Sequence, residues 1–556
     1  MYEAVKRNIS GSKIEPAIAF YGKNYTFAEV FDRIDTLANN LSAEFSLGKG
    51  DAVTLCMPNS PAAVFAFYAA NKLGAAVNLV HPFLPPEKLK ESAEKSHSKL
   101  ILVYDLYPAA GFAFGIPVLV SDSASYMGAG AKLYYRFTQK RKAKGIPFEK
   151  YLKNRGNPRV GAASFGAREP AVYLASGGTA GEPKTIAHCN AVCNNLCAKA
   201  QEFLGEPIEN YTALYNVLPI FHGYGLCINM HMCMIMRRTN VMCLKFNAKR
   251  SAKEIVRSRA NILTGVPTMY LKLLGERAFT RGDLSNLKDI WVGGDSVSPR
   301  LLADFNAVLE RQGASARIFA GYGLTETAGV CVVNTRSHNR AGSVGRPLTG
   351  TEIGIYKDGV RQGAGQVGEI YLHSEQFMLG YLGEEGDPFV EADGKKWLAT
   401  GDCGYVDEDG FLFFKQRLKN VLKVSGVPVY PSEIEEAAGQ AKGVAKCCAV
   451  GVPDPVKGQI VRLYVEPEEG ADRAACEREV MEICRRRLIG YAVPKQIVFR
   501  DKLAVSIIGK IDRKKLEEEI AEEWPPAPGG RFVQNPTGGA WGCCFGFLLG
   551  PPGGPP

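Results

Sequence analysis

The stretch Y-L-A-S-G-G-T-A-G-E-P-K, from Tyr173 to Lys184, is the segment around which the rest of the chain is organised. The apolar residues Ala171 to Leu174 predict a buried strand that leads into it. The glycine, serine and threonine run that follows has little side-chain bulk, so successive backbone N–H groups can turn inward around an anion. Lys184 adds a cation that can reach the same oxygens. The stretch predicts a phosphate-binding loop, and a flexible surface loop is the alternative interpretation.

The composition is that of a globular protein with more than one domain. The chain has 556 residues, of which 46% are apolar and 22% are charged. The net charge of +10, from 67 basic and 57 acidic residues, suits anionic substrates such as nucleotides. It is too dilute to indicate binding to nucleic acid. Fifteen cysteines in so long a chain do not form a disulfide framework, which favours a reducing cytoplasm. The sequence carries no signal for the oligomeric state.

The first hundred residues alternate between helix-like and strand-like segments. Thr26 and Glu29 form a capping box ahead of apolar residues at helical spacing. Asp51 to Met57 predicts a strand, Ala62 to Leu73 a helix, and Ala75 to Val80 another strand. Alternation of this kind predicts an α/β architecture with parallel strands.

Three further clusters carry chemistry. Gly321 to Thr327, G-Y-G-L-T-E-T, is predicted to form a glycine-flanked turn. In it, Tyr322 could stack on a base and Glu326 could hold Mg²⁺, which prefers carboxylate oxygens and bridges phosphates. The carboxylate of Thr400 to Asp402, predicted to follow a strand, suits ribose hydroxyls. Ser506 to Lys510 places a lysine on a glycine turn near the C-terminus.

The order and spacing of these motifs resemble the adenylate-forming (ANL) superfamily, which includes acyl-CoA synthetases, firefly luciferase and peptide-synthetase adenylation domains. The resemblance runs from about residue 15 to about residue 520. It implies an acetyl-CoA synthetase/luciferase-like α/β fold, with a large N-terminal multi-layer domain at residues 1–416 and a small mobile α+β domain at residues 417–524. Ser432 and Glu435 predict a capping box in the small domain. The Pro/Gly-rich composition of residues 525–556 predicts a disordered tail.

The resemblance also implies the residues of the site. The catalytic residues would be Lys510, Thr179, Glu326, Lys184 and His222. The residues that bind ATP would be Ser176, Gly177, Gly178, Thr179, Gly181, Lys184, Gly294, Asp295, Tyr322, Gly323, Thr325, Asp402, Arg417 and Lys423. Glu326 would hold Mg²⁺, and Lys419 would be the hinge between the domains. Gln416 stands where the family usually has glycine.

The reaction that the resemblance implies has two steps. A carboxylic acid and ATP would give an acyl-adenylate and pyrophosphate, and coenzyme A would then take the acyl group and release AMP. Leu226 to Met236 is rich in Met, Cys and Ile, an adaptable apolar lining that favours a medium- or long-chain fatty acid. An aryl or other hydrophobic acid, a carrier protein as acceptor, and an inactive nucleotide-binding regulator are the alternatives.

Two segments bear on membranes. Leu218 to Met236 carries no formal charge but contains Pro219 and several glycines, which fit the lining of a pocket better than a lipid-facing helix. Residues 132–144 combine lysines and arginines with aromatic residues. A helix of that kind can rest on an anionic membrane surface, and a solvated face is the more common interpretation. The sequence therefore predicts a cytoplasmic protein with peripheral membrane contact as one alternative.

Overall fold

The structure is a computed structural model that describes residues 1–9, 14–108, 112–176, 184–295, 297–374, 377–384, 387–505 and 511–523. The helices of these residues are α1 (Tyr2–Asn8), α2 (Phe27–Phe45), α3 (Pro61–Leu73), α4 (Pro86–Lys95), α5 (Ala129–Thr138), α6 (Asn190–Ala198), α7 (Ala200–Phe203), α8 (Met232–Ile235), α9 (Ala248–Ser258), α10 (Pro267–Leu274), α11 (Arg277–Thr280), α12 (Pro299–Arg311), α13 (Pro431–Ala438), α14 (Arg473–Arg487) and α15 (Arg513–Glu523).

The strands fall into three large sheets and two small ones. They are β1 (Pro16–Phe20), β2 (Lys23–Thr26), β3 (Ala52–Cys56), β4 (Ala76–Leu79), β5 (Ser98–Tyr104), β6 (Val118–Ser121), β7 (Ile146–Pro147), β8 (Pro170–Ala175), β9 (Thr185–Cys189), β10 (Ala213–Asn216), β11 (Thr239–Met242), β12 (Ile262–Gly265), β13 (Asp289–Val292), β14 (Ile318–Leu324), β15 (Gly329–Val333), β16 (Arg346–Pro347), β17 (Thr351–Lys357), β18 (Val360–Arg361), β19 (Gly368–Ser374), β20 (Gly380–Tyr381), β21 (Val390–Ala392), β22 (Lys395–Val406), β23 (Leu412–Arg417), β24 (Leu422–Val424), β25 (Val427–Val429), β26 (Val444–Asp454), β27 (Gly458–Pro467) and β28 (Gln496–Phe499).

The first sheet has the strand order β20-β9-β8-β4-β3-β5-β6-β7, and the second has β16-β15-β14-β13-β12-β10-β11-β1-β2. Both are parallel in the middle, as the alternating helices and strands predict. The third sheet, β18-β17-β19-β22-β21 with β23 paired to β22, is antiparallel. The predicted α/β class of the large domain is therefore confirmed.

One core joins the first two sheets, and α3 lies inside it. All thirteen residues of α3 are buried because the helix is apolar on nearly every face. The predicted capping box of α2 is confirmed: Thr26 Oγ1 accepts from the N–H of Glu29, and the Glu29 carboxylate accepts from the N–H of Thr26 at 2.8 Å. A separate cluster, where the three sheets meet, contains Ile186, Tyr322 and Leu398.

The uncharged segment Leu218–Met236 is folded against the second sheet. Tyr224–His231 forms a π-helix that continues into α8, and most of its side chains are buried in the core. In the part of the chain that the structure describes, no helix is both long enough and apolar enough to cross a membrane.

The C-terminal unit consists of β24 to β28 and α13 to α15 and has apolar clusters of its own. The predicted capping box of Ser432 and Glu435 is wrong. α13 begins at Pro431, a residue well suited to the first helical position, so Ser432 lies inside the first turn. The N–H of Ser432 donates to Gln416 Oε1 at 3.4 Å, and Glu435 pairs with Arg513 at 2.5 Å. The departure at Gln416 therefore provides a contact between the two units.

Candidate active site

The glycine-rich loop connects two antiparallel neighbours, β8 and β9. Its ends are tied together, because the N–H of Ser176 donates to the carbonyl of Lys184 at 2.8 Å and Ser176 Oγ accepts from the N–H of Lys184 at 3.0 Å. The loop is thus closed at its base by Ser176 itself. Four predicted ligands, Gly177, Gly178, Thr179 and Gly181, lie outside the described residues.

Lys184 and Glu326 are brought together by a tyrosine that the sequence did not indicate. The Lys184 ammonium lies 4.4 Å from the centre of the Tyr381 ring. The Tyr381 hydroxyl donates to Glu326 Oε1 at 3.4 Å, and the N–H of Met378 donates to the carbonyl of Glu326. Burial, and then the Glu326 charge, raises the pKa of Tyr381, so its hydroxyl remains a donor. Lys184 and Glu326, predicted to bind phosphates and Mg²⁺, therefore both contact the short segment from Met378 to Tyr381.

The ammonium of Lys184 is paired with a carboxylate where phosphate would bind. Its Nζ lies 2.7 Å from Glu384 Oε2, with both side chains more than a third exposed. We expect Glu384→Gln to lower the KM for ATP about two- to fivefold, since an exposed ion pair contributes at most about 1 kcal/mol and ATP no longer has to displace it. Steady-state kinetics at low and high salt measures the effect, which should shrink as salt screens the pair. Glu391→Gln, an exposed carboxylate in β21, is the control; a rise in KM for the Glu384 variant would contradict the expectation.

Tyr322, Asp402 and Arg417 form a second polar group. The Tyr322 hydroxyl donates to Asp402 Oδ2 at 2.7 Å, and Arg417 Nε lies 2.9 Å from Asp402 Oδ1. The Asp402 side chain is 2% exposed and that of Arg417 is 50% exposed. Burial, and then Asp402, raises the pKa of Tyr322 well above its usual value, so the phenol stays protonated. The structure brings these three predicted nucleotide ligands together.

Two local predictions about these residues are wrong. Asp402 lies inside β22 rather than after a strand, because the chain passes through Gly401 in the left-handed region (φ 67°) and continues its pairing, with Asp402 opposite Arg417. Tyr322 likewise lies in β14, paired with Val332 of β15, and only Thr325–Thr327 forms a turn. Strand positions hold both side chains more firmly than turns would.

Gly323 and Gly294 have different reasons to be glycine. A Cβ on Gly323 would lie 1.9 Å from the carbonyl oxygen of Gly329, so this glycine allows β14 and β15 to approach each other. Gly294 has a φ of +78°, which bends the chain after β13 toward the exposed Asp295. The role of Gly323 is thus at least partly structural.

His188 supports the Thr325–Glu326 turn, and sequence reasoning did not find it. It is fully buried in β9, and its Nε2 lies 2.8 Å from the carbonyl oxygen of Thr325. Since a carbonyl oxygen only accepts, Nε2 carries the proton. Burial lowers the pKa of His188 to about 4, so the ring stays neutral near pH 7. A histidine one residue before the end of a largely buried strand gives no sequence signal that separates it from an ordinary core residue.

An apolar cavity of about 140 Å³ lies between β13, β14 and the π-helix. His222 and Tyr322 both line it, together with Gly293 and Thr325. Phe221, next to His222, is buried and packs with its ring centre 4.8 Å from that of His222. The segment predicted to line an acyl pocket therefore does border a cavity, and Tyr322 connects that cavity to Asp402.

The remaining predicted residues lie apart from this group or outside the described residues. Lys419 is in the turn Leu418–Asn420 that directly follows Arg417, and burial followed by the Arg417 charge lowers the pKa of its ammonium. Lys423 is in β24, where its N–H donates to Gln459 of the C-terminal unit. Lys510 lies outside the described residues.

Glu326 fits a hard cation. Its carboxylate is half-buried, and among the described residues no lysine or arginine forms an ion pair with it. The described residues contain no cluster of three or more His, Cys, Asp or Glu that would hold a metal alone. Mg²⁺ normally needs only one or two carboxylates, with substrate phosphates supplying the other oxygens. The single carboxylate beside Lys184 suits that arrangement.

Two α/β layers, a third sheet carrying Asp402, and a small C-terminal unit are the architecture of adenylate-forming enzymes. The chain belongs to the AMP-binding enzyme family: the family model matches residues 5–382, and the model of the AMP-binding enzyme C-terminal domain matches residues 433–510.

Known proteins resemble the chain over nearly its whole length. The long-chain-fatty-acid–CoA ligase of Bacillus subtilis strain 168 is 30% identical over 528 residues, covering 91% of this chain and 92% of that protein. The anthranilate CoA ligase AuaEII, solved with anthranoyl-AMP, superposes with a TM-score of 0.82 at 22% identity, covering 94% and 97% of the two chains. The o-succinylbenzoate CoA synthetase of B. subtilis, solved with ATP and magnesium, superposes with a TM-score of 0.74 at 23% identity, covering 92% and 99%. These similarities confirm the predicted fold.

Proposed function

We propose that this chain is an AMP-forming acid–thiol ligase, which converts a hydrophobic carboxylic acid and ATP to an acyl-adenylate and pyrophosphate, and then transfers the acyl group to coenzyme A. The observation that carries the proposal is the position of Tyr322. Its hydroxyl binds Asp402 at 2.7 Å, and the same residue lines the apolar cavity. A nucleotide held at Asp402 would thus meet an acid held in the cavity.

In the first step the acid carboxylate attacks the α-phosphate, and two anions must approach each other. Asp402 would accept hydrogen bonds from the ribose hydroxyls, with Arg417 beside it and Tyr322 stacked on the base. Lys184 and the glycine-rich loop would hold the phosphates that leave as pyrophosphate, and Lys510 would offset charge at the α-phosphate. Mg²⁺ at Glu326 would supply further neutralisation of phosphate oxygens when bound. Positioning and electrostatics would carry the step, as in other phosphoryl-group chemistry.

In the second step the thiol of coenzyme A attacks the acyl carbon and AMP leaves. We propose that the unit of residues 417–524 rotates about Lys419, which withdraws Lys510 and admits the thiol. The position of Lys419 directly after β23 supports a hinge there. His222 would border the acyl group in the cavity rather than act as a base.

The test is carboxylate-dependent release of pyrophosphate over a panel of acids, with and without coenzyme A. We expect release with at least one hydrophobic acid and formation of its thioester when coenzyme A is added. No release with any acid would leave the inactive regulator, whereas adenylate without thioester would favour a carrier-protein acceptor. The name of the B. subtilis relative supports a fatty acid, and that of AuaEII supports an aryl acid as the second candidate.

We also propose that the enzyme works in the cytoplasm and touches a membrane surface through α5. The described cysteines are free, which suits a reducing compartment. Three large apolar side chains of α5 are 60–82% exposed, namely Leu133, Tyr134 and Phe137. Tyr135 faces inward and donates to Asp105 at 3.1 Å. Exposed apolar residues beside lysines favour an anionic lipid surface.

We expect Phe137→Ser, and separately the neutral variant Lys140→Gln/Lys142→Gln/Lys144→Gln, to weaken binding to vesicles that contain phosphatidylserine. Each lysine near such a surface contributes about 1 kcal/mol, so the triple variant should lose about a hundredfold in affinity. Flotation at two salt concentrations measures it. Val456→Ser, which changes an apolar residue that is 89% exposed in the C-terminal unit, is the control. Equal flotation of all four proteins would contradict the proposal.

A further inference from the structure

Two aromatic side chains and an isoleucine form part of the lining of the cavity of about 140 Å³. Phe203 of α7 and Trp291 of β13 pack edge to face, with ring centres 5.4 Å apart and planes at 87°. They are 3% and 4% exposed, and Ile228 of the π-helix, also lining the cavity, is 2% exposed. We call Phe203, Trp291 and Ile228 the wall of the cavity. Their side chains are packed against other core residues.

Two tyrosine hydroxyls hold the backbone of Trp291 in the wall. The backbone carbonyl of Trp291 accepts from the Tyr270 hydroxyl at 2.9 Å and from the Tyr224 hydroxyl at 3.3 Å. Tyr270 is itself fully buried against Phe305, with ring centres 4.9 Å apart. Packed interiors do not deform continuously, so moving Trp291 would disturb both hydrogen bonds and the core behind them.

Another part of the lining is backbone of glycine residues in and next to β13 and β14. Gly293 directly follows β13, and Gly321 lies within β14. A Cβ on Gly293 would lie 3.0 Å from the carbonyl oxygen of Gly321. Glycine at position 293 lets the chain after β13 lie close to β14, and backbone atoms of both glycines border the cavity beside Tyr322. Val330 and Val333 of β15 complete the lining.

We propose that the acid activated by this chain is compact, with an apolar part about the size of one aromatic ring, and that Phe203, Trp291 and Ile228 exclude extended chains. The inference rests on the proposed function, and it favours a compact acid over the long-chain fatty acid that the name of the B. subtilis relative supports. A cavity of about 150 Å³ accommodates benzene. A long alkyl chain would have to displace the aromatic wall, and overpacking a well-packed core costs typically about 1–3 kcal/mol.

The first experiment compares kcat/KM for pyrophosphate release with benzoate, hexanoate, decanoate and palmitate on the full chain. We expect benzoate or hexanoate to exceed palmitate by at least about a hundredfold, in keeping with the discrimination that a hydrophobic pocket achieves. Palmitate equal to or better than the compact acids would overturn the inference while leaving the ligase function intact. Release with none of the four, nor with any acid of the wider panel, would instead contradict the proposed function.

The second experiment replaces wall residues with smaller ones. Phe203→Leu should raise the ratio of kcat/KM for decanoate to that for benzoate by about tenfold, because it deepens the cavity. Phe305→Leu makes the same change at a buried residue behind the wall, and it should alter thermal stability without altering the ratio. Ile228→Val removes one methylene from the wall and should shift the ratio in the same direction if Phe203→Leu does not fold. An unchanged ratio in the folded wall variants would overturn the assignment of the wall.

Discussion

Asp402→Asn is expected to raise the KM for ATP by about ten- to a hundredfold, because hydrogen bonds to a charged acceptor contribute about 1.5–3 kcal/mol. The substitution keeps the size of a side chain that is 2% exposed. It replaces one accepting oxygen with an amide N–H that would face a donor, either the Tyr322 hydroxyl or Arg417 Nε. The ribose hydroxyls would therefore lose a partner, and Tyr322 would lose its orientation. Initial-rate kinetics in varied ATP, and direct titration of ATP binding, measure the effect.

Asp393→Asn is a matched control for this prediction. Asp393 also accepts from a tyrosine, Tyr356 at 2.7 Å, and from an arginine, Arg361 at 3.1 Å. Its side chain is 47% exposed, and neither it nor its partners line the cavity. We expect the KM of Asp393→Asn for ATP to stay within twofold of the wild-type value, because Asp393 belongs to an exposed ion pair, which contributes little. Similar KM values for the two variants would show that Asp402 does not bind nucleotide.

The parts of the site that sequence predicts well are those that follow from local backbone chemistry. The strand at Ala171 to Leu174, the capping box at Thr26, and the connection of strands into parallel sheets each depend on residues close in sequence. The motif order then gave the adenylate-forming family, which the family models confirm. The proposed roles of Lys184, Glu326 and Asp402 remain predictions, and the kinetics of Glu384→Gln and Asp402→Asn test those of Lys184 and Asp402.

What the sequence did not predict depends on contacts between distant residues. Tyr381 and Glu384 reach Lys184 because β20 pairs with β9 across almost two hundred residues of chain, with Tyr381 opposite Ile186. His188 reaches Thr325 across the junction of two sheets. The N-cap of α13 was misplaced because Ser-x-x-Glu satisfies the capping pattern, whereas Pro431 and a contact with Gln416 determine where the helix begins. Contacts between residues that are distant in sequence determine these features, and local sequence patterns do not contain that information.

The described residues on either side of Lys510 pair with each other. Val505 and Ile511 form a β-bridge, and the N–H of Asp512 donates to the carbonyl of Ala504 at 2.8 Å. Arg513, next along the chain, pairs with Glu435 of α13 at 2.5 Å. The described residues that flank Lys510 in sequence therefore belong to the C-terminal unit, and we expect a rotation of that unit to move the lysine with it.

Lys510→Ala is accordingly expected to lower the rate of adenylate formation by about a hundred- to a thousandfold, the range for removing one group that stabilises charge in a transition state. The same variant should form thioester from supplied acyl-adenylate and coenzyme A at close to the wild-type rate, because the rotation withdraws Lys510 before the thiol attacks. Pyrophosphate release and thioester formation, measured separately with a compact acid and its adenylate, distinguish the two half-reactions.

Lys514→Ala is the control for this variant. Lys514 lies four residues further on in α15, its side chain is 63% exposed, and its only described ion pair is with Glu518 at 3.3 Å. Both half-reactions should proceed normally in it, since an exposed pair on a helix contributes about 0.5 kcal/mol or less. Equal loss of both half-reactions in the Lys510 variant would contradict rotation, because a lysine that stays at the site through both steps would affect both. Loss of the first alone would show that the two steps use different arrangements of the C-terminal unit.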